Sequence, residues 1–214
     1  MTTLARSGKK ATEPLRPEPA AIIDVITETP DIKTFRVVFD DPEVMEIFSF
    51  LPGQIGQLSV LGAGESTFAI SSAPSRRDCF EFSVMKAGVV TSALHELTAG
   101  DRIAVRAPMG CAFPTDEWKG RNIVLVGGGI GMAPLRSLLL HLLDHRGDYG
   151  DITLVYGART PGAATPGTGL TGKHALTSAS LPPSTPPAPA GMAASDWSLQ
   201  FSRKKRHHRI TPSP

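Results

Sequence analysis

The stretch Val126-Gly-Gly-Gly-Ile-Gly-Met-Ala-Pro134 holds the residue types and spacing most suited to chemistry. An apolar run, Ile123-Val-Leu-Val126, enters a turn made of Gly127, Gly128, Gly129, Ile130 and Gly131, and Met132 and Pro134 then open a leucine-rich segment. Glycine lets the backbone turn tightly and lets a ligand approach it closely. The free N–H groups of a helix start face an anion, and the helix dipole adds to the attraction. Proline in the first helical turn removes no needed donor. The local chemistry is that of a cradle for a diphosphate. The third glycine of the usual dinucleotide fingerprint is missing, with Met132-Ala133-Pro134 where that motif continues to glycine. A turn of this kind can also be purely structural, so its weight depends on its company. A second candidate is Gly88-Val89-Val90-Thr91. Gly88 admits close approach, and the backbone donors and hydroxyl of Thr91 sit at a helix start. An ordinary capped helix uses the same residues, with Thr91 as its cap.

Other reactive side chains point to less. Cys79 and Cys111 are too few for a disulfide framework or a four-cysteine metal or iron–sulfur site. Cys79 precedes a strand and reads as structural, and no Lys or His stands beside Cys111 to activate it. His95, His141 and His145 fall on expected helices at spacings that suit surface or interface positions. His141 and His145 are four apart, which suits a metal, but no third ligand accompanies them. The run Arg203-Lys-Lys-Arg-His-His-Arg209 lacks interleaved aromatics and reads as solvated charge, so no nucleic acid is expected as partner.

The elements that must position the two glycine segments follow from periodicity. Ile22–Ile26, Thr34–Phe39, Gly56–Val60, Phe80–Met85 and Asp101–Arg106 are short runs rich in β-branched and aromatic residues. Glycine, proline and aspartate separate them, as in Thr29-Pro-Asp31 and Ala99-Gly-Asp101. Such strands favour a small antiparallel barrel, interrupted by one helix near Thr91–Leu97. From Arg121 the pattern becomes strand, glycine turn, helix from Leu135 to about His145, and strand Ile152–Tyr156, one βαβ unit. Beyond Arg159 neither period persists, and residues 160–214 carry nine of the chain's 19 prolines. That segment has one acidic residue, Asp196, against six lysines and arginines, and is expected to be disordered, with no strand. The fold class expected is a β barrel plus α/β: a flexible arm at 1–19, a six-stranded antiparallel barrel at 20–114, an incomplete parallel nucleotide-binding domain at 115–159, and the tail. No apolar run approaches the ~20 residues of a membrane span and the start has no signal-peptide core, so no membrane insertion and a cytoplasmic location are expected.

Four segments in this order resemble the ferredoxin–NADP reductase superfamily of flavin-dependent electron-transfer proteins: Phe50-Leu-Pro-Gly-Gln54, Phe68-Ala-Ile-Ser-Ser-Ala-Pro74, Gly88-Val-Val-Thr91 and Gly127–Pro134. Pro108-Met-Gly-Cys-Ala-Phe113 is similar to the loop joining barrel and nucleotide domain. The closer likeness is to the electron-transfer branch, which includes hydrogenase gamma subunits and the corresponding subunits of anaerobic sulfite reductase and dihydroorotate dehydrogenase. The resemblance implies FAD held by Phe68, Ala69, Ile70, Ser71 and Ser72, with Phe68 stacking on or walling the flavin. It implies a flavin diphosphate at Gly88, Val89, Val90 and Thr91, and NAD(P)H at Gly127, Gly128, Gly129, Ile130, Gly131, Met132 and Pro134. Ala69 stands where the family has a flavin-bonding serine, a loss of ~1 kcal/mol for one hydrogen bond, which Ser71 and Ser72 are expected to offset. Ser66 stands where many members carry a diphosphate-binding arginine. Cys111 falls in a loop near the nicotinamide, and Arg159 is a candidate contact to the nucleotide.

The implied function is electron passage from NAD(P)H through flavin to a redox partner subunit (a hydrogenase, sulfite reductase or similar), with no acid–base residue required. The alternatives are a non-catalytic flavin-binding or interaction module, or a gene fragment without function. The likeness ends at Arg159, before the family's remaining strands and its cysteine cluster. The chain is therefore expected to be truncated or frame-shifted, with nicotinamide binding in doubt.

Overall fold

The computed structural model of the chain describes residues 16–158 and 175–181. β1 (Glu18–Thr29) and β2 (Ile32–Phe39) form an antiparallel hairpin, its turn tied by the Thr29 hydroxyl donating to Asp31 at 2.7 Å. A short helix, α1 (Pro42–Ile47), follows. The Asp41 carboxylate caps it by accepting from the Glu43 N–H at 2.9 Å, and Pro42 opens it where a missing donor costs nothing. β3 (Ile55–Val60) and β4 (Gly64–Ala69) make a second hairpin. β5 (Phe80–Met85) leads into α2 (Val89–Glu96), and β6 (Arg102–Met109) completes the unit.

The strand order is β4-β3-β6-β1-β2-β5, every pair antiparallel. The two ends of that sheet, β4 and β5, come together at one isolated bridge, Ile70 to Phe82. The six-stranded barrel expected from the sequence therefore forms, with a seam between β4 and β5. Along β5, Phe80, Phe82 and Val84 turn inward while Glu81 and Ser83 turn out. The rings of Phe39, Phe48 and Phe80 lie 4.7–5.1 Å apart inside, each burial contributing about 1.5–3 kcal/mol. Leu94 of α2 is fully buried against the same core.

The second unit begins after a 3-10 turn at Thr115–Trp118. β7 (Ile123–Gly128), a 3-10 turn at Gly129–Gly131, α3 (Met132–Asp144) and β8 (Ile152–Ala158) follow, with β7 and β8 parallel as a crossover helix requires. Ile123, Leu125, Ile152 and Leu154 pack with Leu138, Leu139, Leu142 and Leu143 of α3. Val124 and Val126 lie on the opposite face, 64% and 69% exposed. Phe113 joins the units: its N–H donates to the Pro52 carbonyl at 2.8 Å, and its ring packs with the second core.

Several boundaries move. β1 begins at Glu18 and pairs there with Val105, inside the expected arm. α1 has no counterpart in the periodicity, because six residues hold less than two helical turns of pattern. α2 starts two residues before Thr91, with Gly88 and not Thr91 as its cap, and α3 starts at Met132. The expectation that no strand follows Arg159 is overturned by β9 (Ala175–Leu181), which pairs antiparallel with β8 from Ala158↔Ala175 to Ile152↔Leu181. The free backbone groups of the β8 edge supply the pairing that composition could not announce. Residues 1–15, 159–174 and 182–214 lie outside the described residues, and with them Arg159 and the run Arg203–Arg209.

Candidate functional site

The β4 register decides what Phe68 can do. It sits opposite Gly56 as Ser66 sits opposite Leu58, so Ser66 and Phe68 share the face that Leu58 turns to the barrel interior. The Phe68 ring is half-buried against the core beside the seam, and Ala69 is half-exposed on the opposite face. Ile70, Ser71 and Ser72 are fully buried. The Ser72 hydroxyl accepts the Glu81 N–H at 3.1 Å, and the Ser71 hydroxyl lies 3.3 Å from that of Ser83. Both serines therefore hold the loop to β5. Sequence spacing names these residues but not the side to which their hydroxyls turn.

At the start of α2 the Thr91 hydroxyl accepts from the N–H groups of Ala87 (2.9 Å) and Gly88 (2.8 Å) and donates to the Gly88 carbonyl (3.0 Å). It is saturated by the turn it shapes. The first main-chain bond of the helix runs from Ser92 N–H to Gly88 O at 2.8 Å, which leaves the N–H groups of Val89, Val90 and Thr91 without an intrahelical acceptor. The Val89 side chain is 76% exposed, the space around Gly88 is open, and Val90 stands beside Gly64 of β4. These donors thus face solvent close to the strand that carries Phe68.

The glycine turn is held from below. A Cβ on Gly127 would come within 2.7 Å of Leu135 Cδ1, so glycine at this position lets α3 sit down on β7. Gly129 has φ +51°, left-handed backbone that glycine adopts without strain. Around Gly131 the space is open. The Met132 N–H turns back to the carbonyls of Gly129 and Ile130, and Pro134 follows as the third helical residue. The outward donors are consequently those of the turn itself. A small cavity separates this turn from the outer wall of the barrel, with Gly129, Ile130 and Met132 on one side and Glu28, Ile32 and Ser83 on the other.

That wall carries the site's electrostatics. Glu81 is fully buried, and its carboxylate meets Arg136 Nη1 at 2.5 Å, Arg36 Nε at 3.0 Å and Arg76 Nη1 at 3.8 Å. Burial pushes its pKa up, but the charges and hydrogen bonds of the three arginines outweigh burial and hold it below the usual carboxylate range. Glu28 differs: burial dominates and raises its pKa, against the Thr34 hydrogen bond and the charges of Arg136 and Arg36. The Thr34 hydroxyl lies 2.9 Å from Glu28 and 2.8 Å from Ser83, continuing the row of hydroxyls that ends at Ser71. Neither Glu81, Glu28 nor Arg136 follows from motif spacing. The available signal is a charged residue between Phe80 and Phe82, and another inside a leucine-rich helix.

The remaining candidates sit apart. Burial, then the neighbouring carboxylates Asp78 and Glu81, push the Cys79 thiol up to about 11, while Cys111 is exposed. His95 is buried and bonds the Val84 carbonyl at 2.9 Å, which removes it from the surface expected for it. The His141 and His145 rings lie 4.4 Å apart, tilted by 39°, and His145 Nδ1 is engaged by the His141 carbonyl at 2.9 Å. No helix among the described residues is long and apolar enough to cross a membrane.

With this geometry in hand, the likenesses are specific. The family described as the oxidoreductase NAD-binding domain matches residues 125–164. The chain is 46% identical over 134 residues to the sulfhydrogenase 1 subunit gamma of Pyrococcus furiosus, covering 63% of this chain and 45% of that protein. It is 37% identical over 146 residues to a probable dihydroorotate dehydrogenase B electron transfer subunit of Methanocaldococcus jannaschii, covering 68% and 49%. Among solved structures, an Amycolatopsis cytochrome P450 reductase superposes with a TM-score of 0.60 at 26% identity, covering 76% of this chain and 49% of the other. The ferredoxin-NADP+ reductase of Plasmodium falciparum, at 19% identity, shares the fold with a TM-score of 0.60 over 70% and 62%. The chain spans about half the length of the curated relatives it matches. A barrel with this strand order, followed by a glycine-turn βαβ unit and bearing these likenesses, gives the chain the fold of the ferredoxin–NADP reductase superfamily and makes it similar in sequence to electron-transfer subunits.

Proposed function

We propose that the chain binds FAD on its barrel and NAD(P)H at its glycine turn, and passes electrons between them and a redox partner protein. The observation that carries this is that one barrel bears both an outward-facing helix start, at α2, and a glycine turn across a small cavity from its wall. The donors of Val89–Thr91 stand beside the β4 strand that bears Phe68, and the turn Gly129–Gly131 borders a cavity against Glu28, Ile32 and Ser83 of the same barrel. The residues present fit a flavin. The half-buried ring of Phe68 beside the seam suits an apolar ring system, and the helix start, with open space at Gly88, suits a diphosphate. Main-chain donors carry that role, since Ser66 supplies no positive charge. When bound, the flavin supplies the hydride and single-electron chemistry.

The chain's own residues position and insulate. Glu81, Ser71 and Ser72 hold the loop after β4, and Gly127 lets α3 carry the turn close to β7. The partner is proposed to be a larger redox subunit, supported by relatives named as a gamma subunit and an electron transfer subunit. A cytoplasmic setting accords with the two unpaired cysteines. The test is an absorbance titration of the purified chain with FAD, then anaerobic NADH or NADPH. Bound flavin that bleaches with either nucleotide supports the whole proposal. Bound flavin that stays oxidised restricts the chain to flavin binding, and absence of uptake at high FAD sinks the reading.

A further inference from the structure

We propose that Arg136 is a positioning residue that locks the nucleotide turn to the flavin-side loop, through Glu81 and the Ser71 carbonyl. Arg136 is the fifth residue of α3, one helical turn beyond Gly131. Its neighbours along the helix bury themselves against the α/β sheet, whereas its guanidinium crosses to the barrel. There Nη1 donates to the Ser71 carbonyl at 2.8 Å and to Glu81 Oε2 at 2.5 Å. Arg136 is 6% exposed, and Glu81 and Ser71 not at all.

The grip on Ser71 comes from two sides. Its N–H donates to the Glu81 carbonyl at 2.8 Å, while its own carbonyl accepts from Arg136. One peptide segment at the end of β4 is thus bonded both to β5 and to the helix that starts at the glycine turn. An apolar residue at position 136 would suffice to pack two surfaces together. A buried ion pair is weak evidence for stability, because desolvation offsets the attraction, but its directional bonds admit a single docking geometry. The planar guanidinium can serve two acceptors from a fixed position, which a lysine ammonium on a flexible stem does not reproduce.

The functional demand is distance. If the glycine turn holds a nicotinamide nucleotide and the β4 edge holds a flavin, the α3–barrel register sets how closely their reacting rings meet. A misplacement of about 1 Å lowers such a step by as much as ~100-fold. That consequence rests on the cofactor reading above, whereas the coupling of the two segments does not.

The test compares the full chain with Arg136→Met, Arg136→Lys and Glu81→Gln. Hydrogen exchange of the apo protein is read on peptides covering 69–73, 127–135 and, as reference, the β3–β6 pair. Arg136→Met should accelerate exchange in 69–73 and 127–135 together, with β3–β6 unchanged, and Glu81→Gln should do the same to a smaller extent. In the FAD-loaded chain, Arg136→Met should slow flavin reduction at saturating nucleotide by ~10-fold or more, with less than ~3-fold change in nucleotide affinity, and Arg136→Lys should recover part of the rate. Acceleration confined to α3, or spread over the whole barrel, would overturn the coupling. Equal reduction rates in variant and parent would overturn the positioning role. A parent chain that binds no flavin defeats the cofactor reading and with it the positioning role, while the exchange data still decide the coupling.

Discussion

Two cysteines and two glutamates show how the same side chain acquires opposite properties from its surroundings. Cys79 is buried beside Asp78 and Glu81, so its thiolate is disfavoured and its pKa stands at about 11, whereas Cys111 faces solvent. Alkylation of the native chain at pH 8 should therefore label Cys111 and spare Cys79 until denaturant is added, as peptide mass mapping would reveal. Glu28 and Glu81 diverge in the same way. Glu28 is raised in the folded state, so its contribution to stability is complete below the ordinary value of 4.5 and is lost as pH rises through the higher folded value. Glu28→Gln keeps an acceptor for Thr34 and removes the half-buried charge. It should melt higher than the parent near pH 8, with the difference vanishing near pH 4. A lower melting temperature at pH 8 would refute that assignment. Glu81 has the reverse sign: its contribution is present above 4.5 and disappears as pH falls through the depressed folded value.

The glycines of the β7–α3 element make separable contributions. Alanine at Gly127 meets Leu135 at 2.7 Å and must displace it, an overpacking cost of about 1–3 kcal/mol. Alanine at Gly129 meets nothing but must adopt φ +51°, at about 1–2 kcal/mol. Gly131 has φ −61° and open space, so alanine there should leave stability unchanged or raise it by up to ~1 kcal/mol. Urea melts of the three variants check that ranking. If the turn cradles a diphosphate, Gly131→Ala should still weaken NAD(P)H binding, because its methyl group enters the space where the ligand approaches. The Thr91 hydroxyl marks a similar division at α2, where it closes the turn while the bare main chain of Val89–Thr91 faces out.

For the whole molecule, the barrel and the α/β unit are joined across a polar wall whose centre is Glu81. Removing that carboxylate alone leaves three arginines facing a buried void. Glu81→Ala should cost about 3–5 kcal/mol, whereas the double change Glu81→Leu with Arg136→Met should cost far less. Denaturant melts of the single and double variants measure the difference, and equal losses would show that packing and not charge holds the units. The same wall turns Glu28 and Ser83 toward Gly129–Met132, so docking of the two units also shapes the cavity between them.

Periodicity and glycine spacing were enough to determine five of the six strands of the barrel, β4 being missed, the change to a βαβ pattern, and the two glycine segments that lead into helices. Each of those depends on neighbours close in the chain: alternation sets a strand, and the order of strand, glycine and leucines sets the turn. The six residues of α1 were too few to carry a period. β9 was hidden because its pairing is created by the β8 edge and not by its own composition. Only the tertiary structure decided that the Ser71 and Ser72 hydroxyls bond to β5 and that His95 is buried. It alone also made Glu81 the anchor for Arg136. In each case the alternation of β5 or the phase of a helix names a face, but not what comes to cover it. The outer face of β5 would read as solvent-facing until α3, starting some fifty residues later, brings an arginine against it and turns an exposed carboxylate into a buried one.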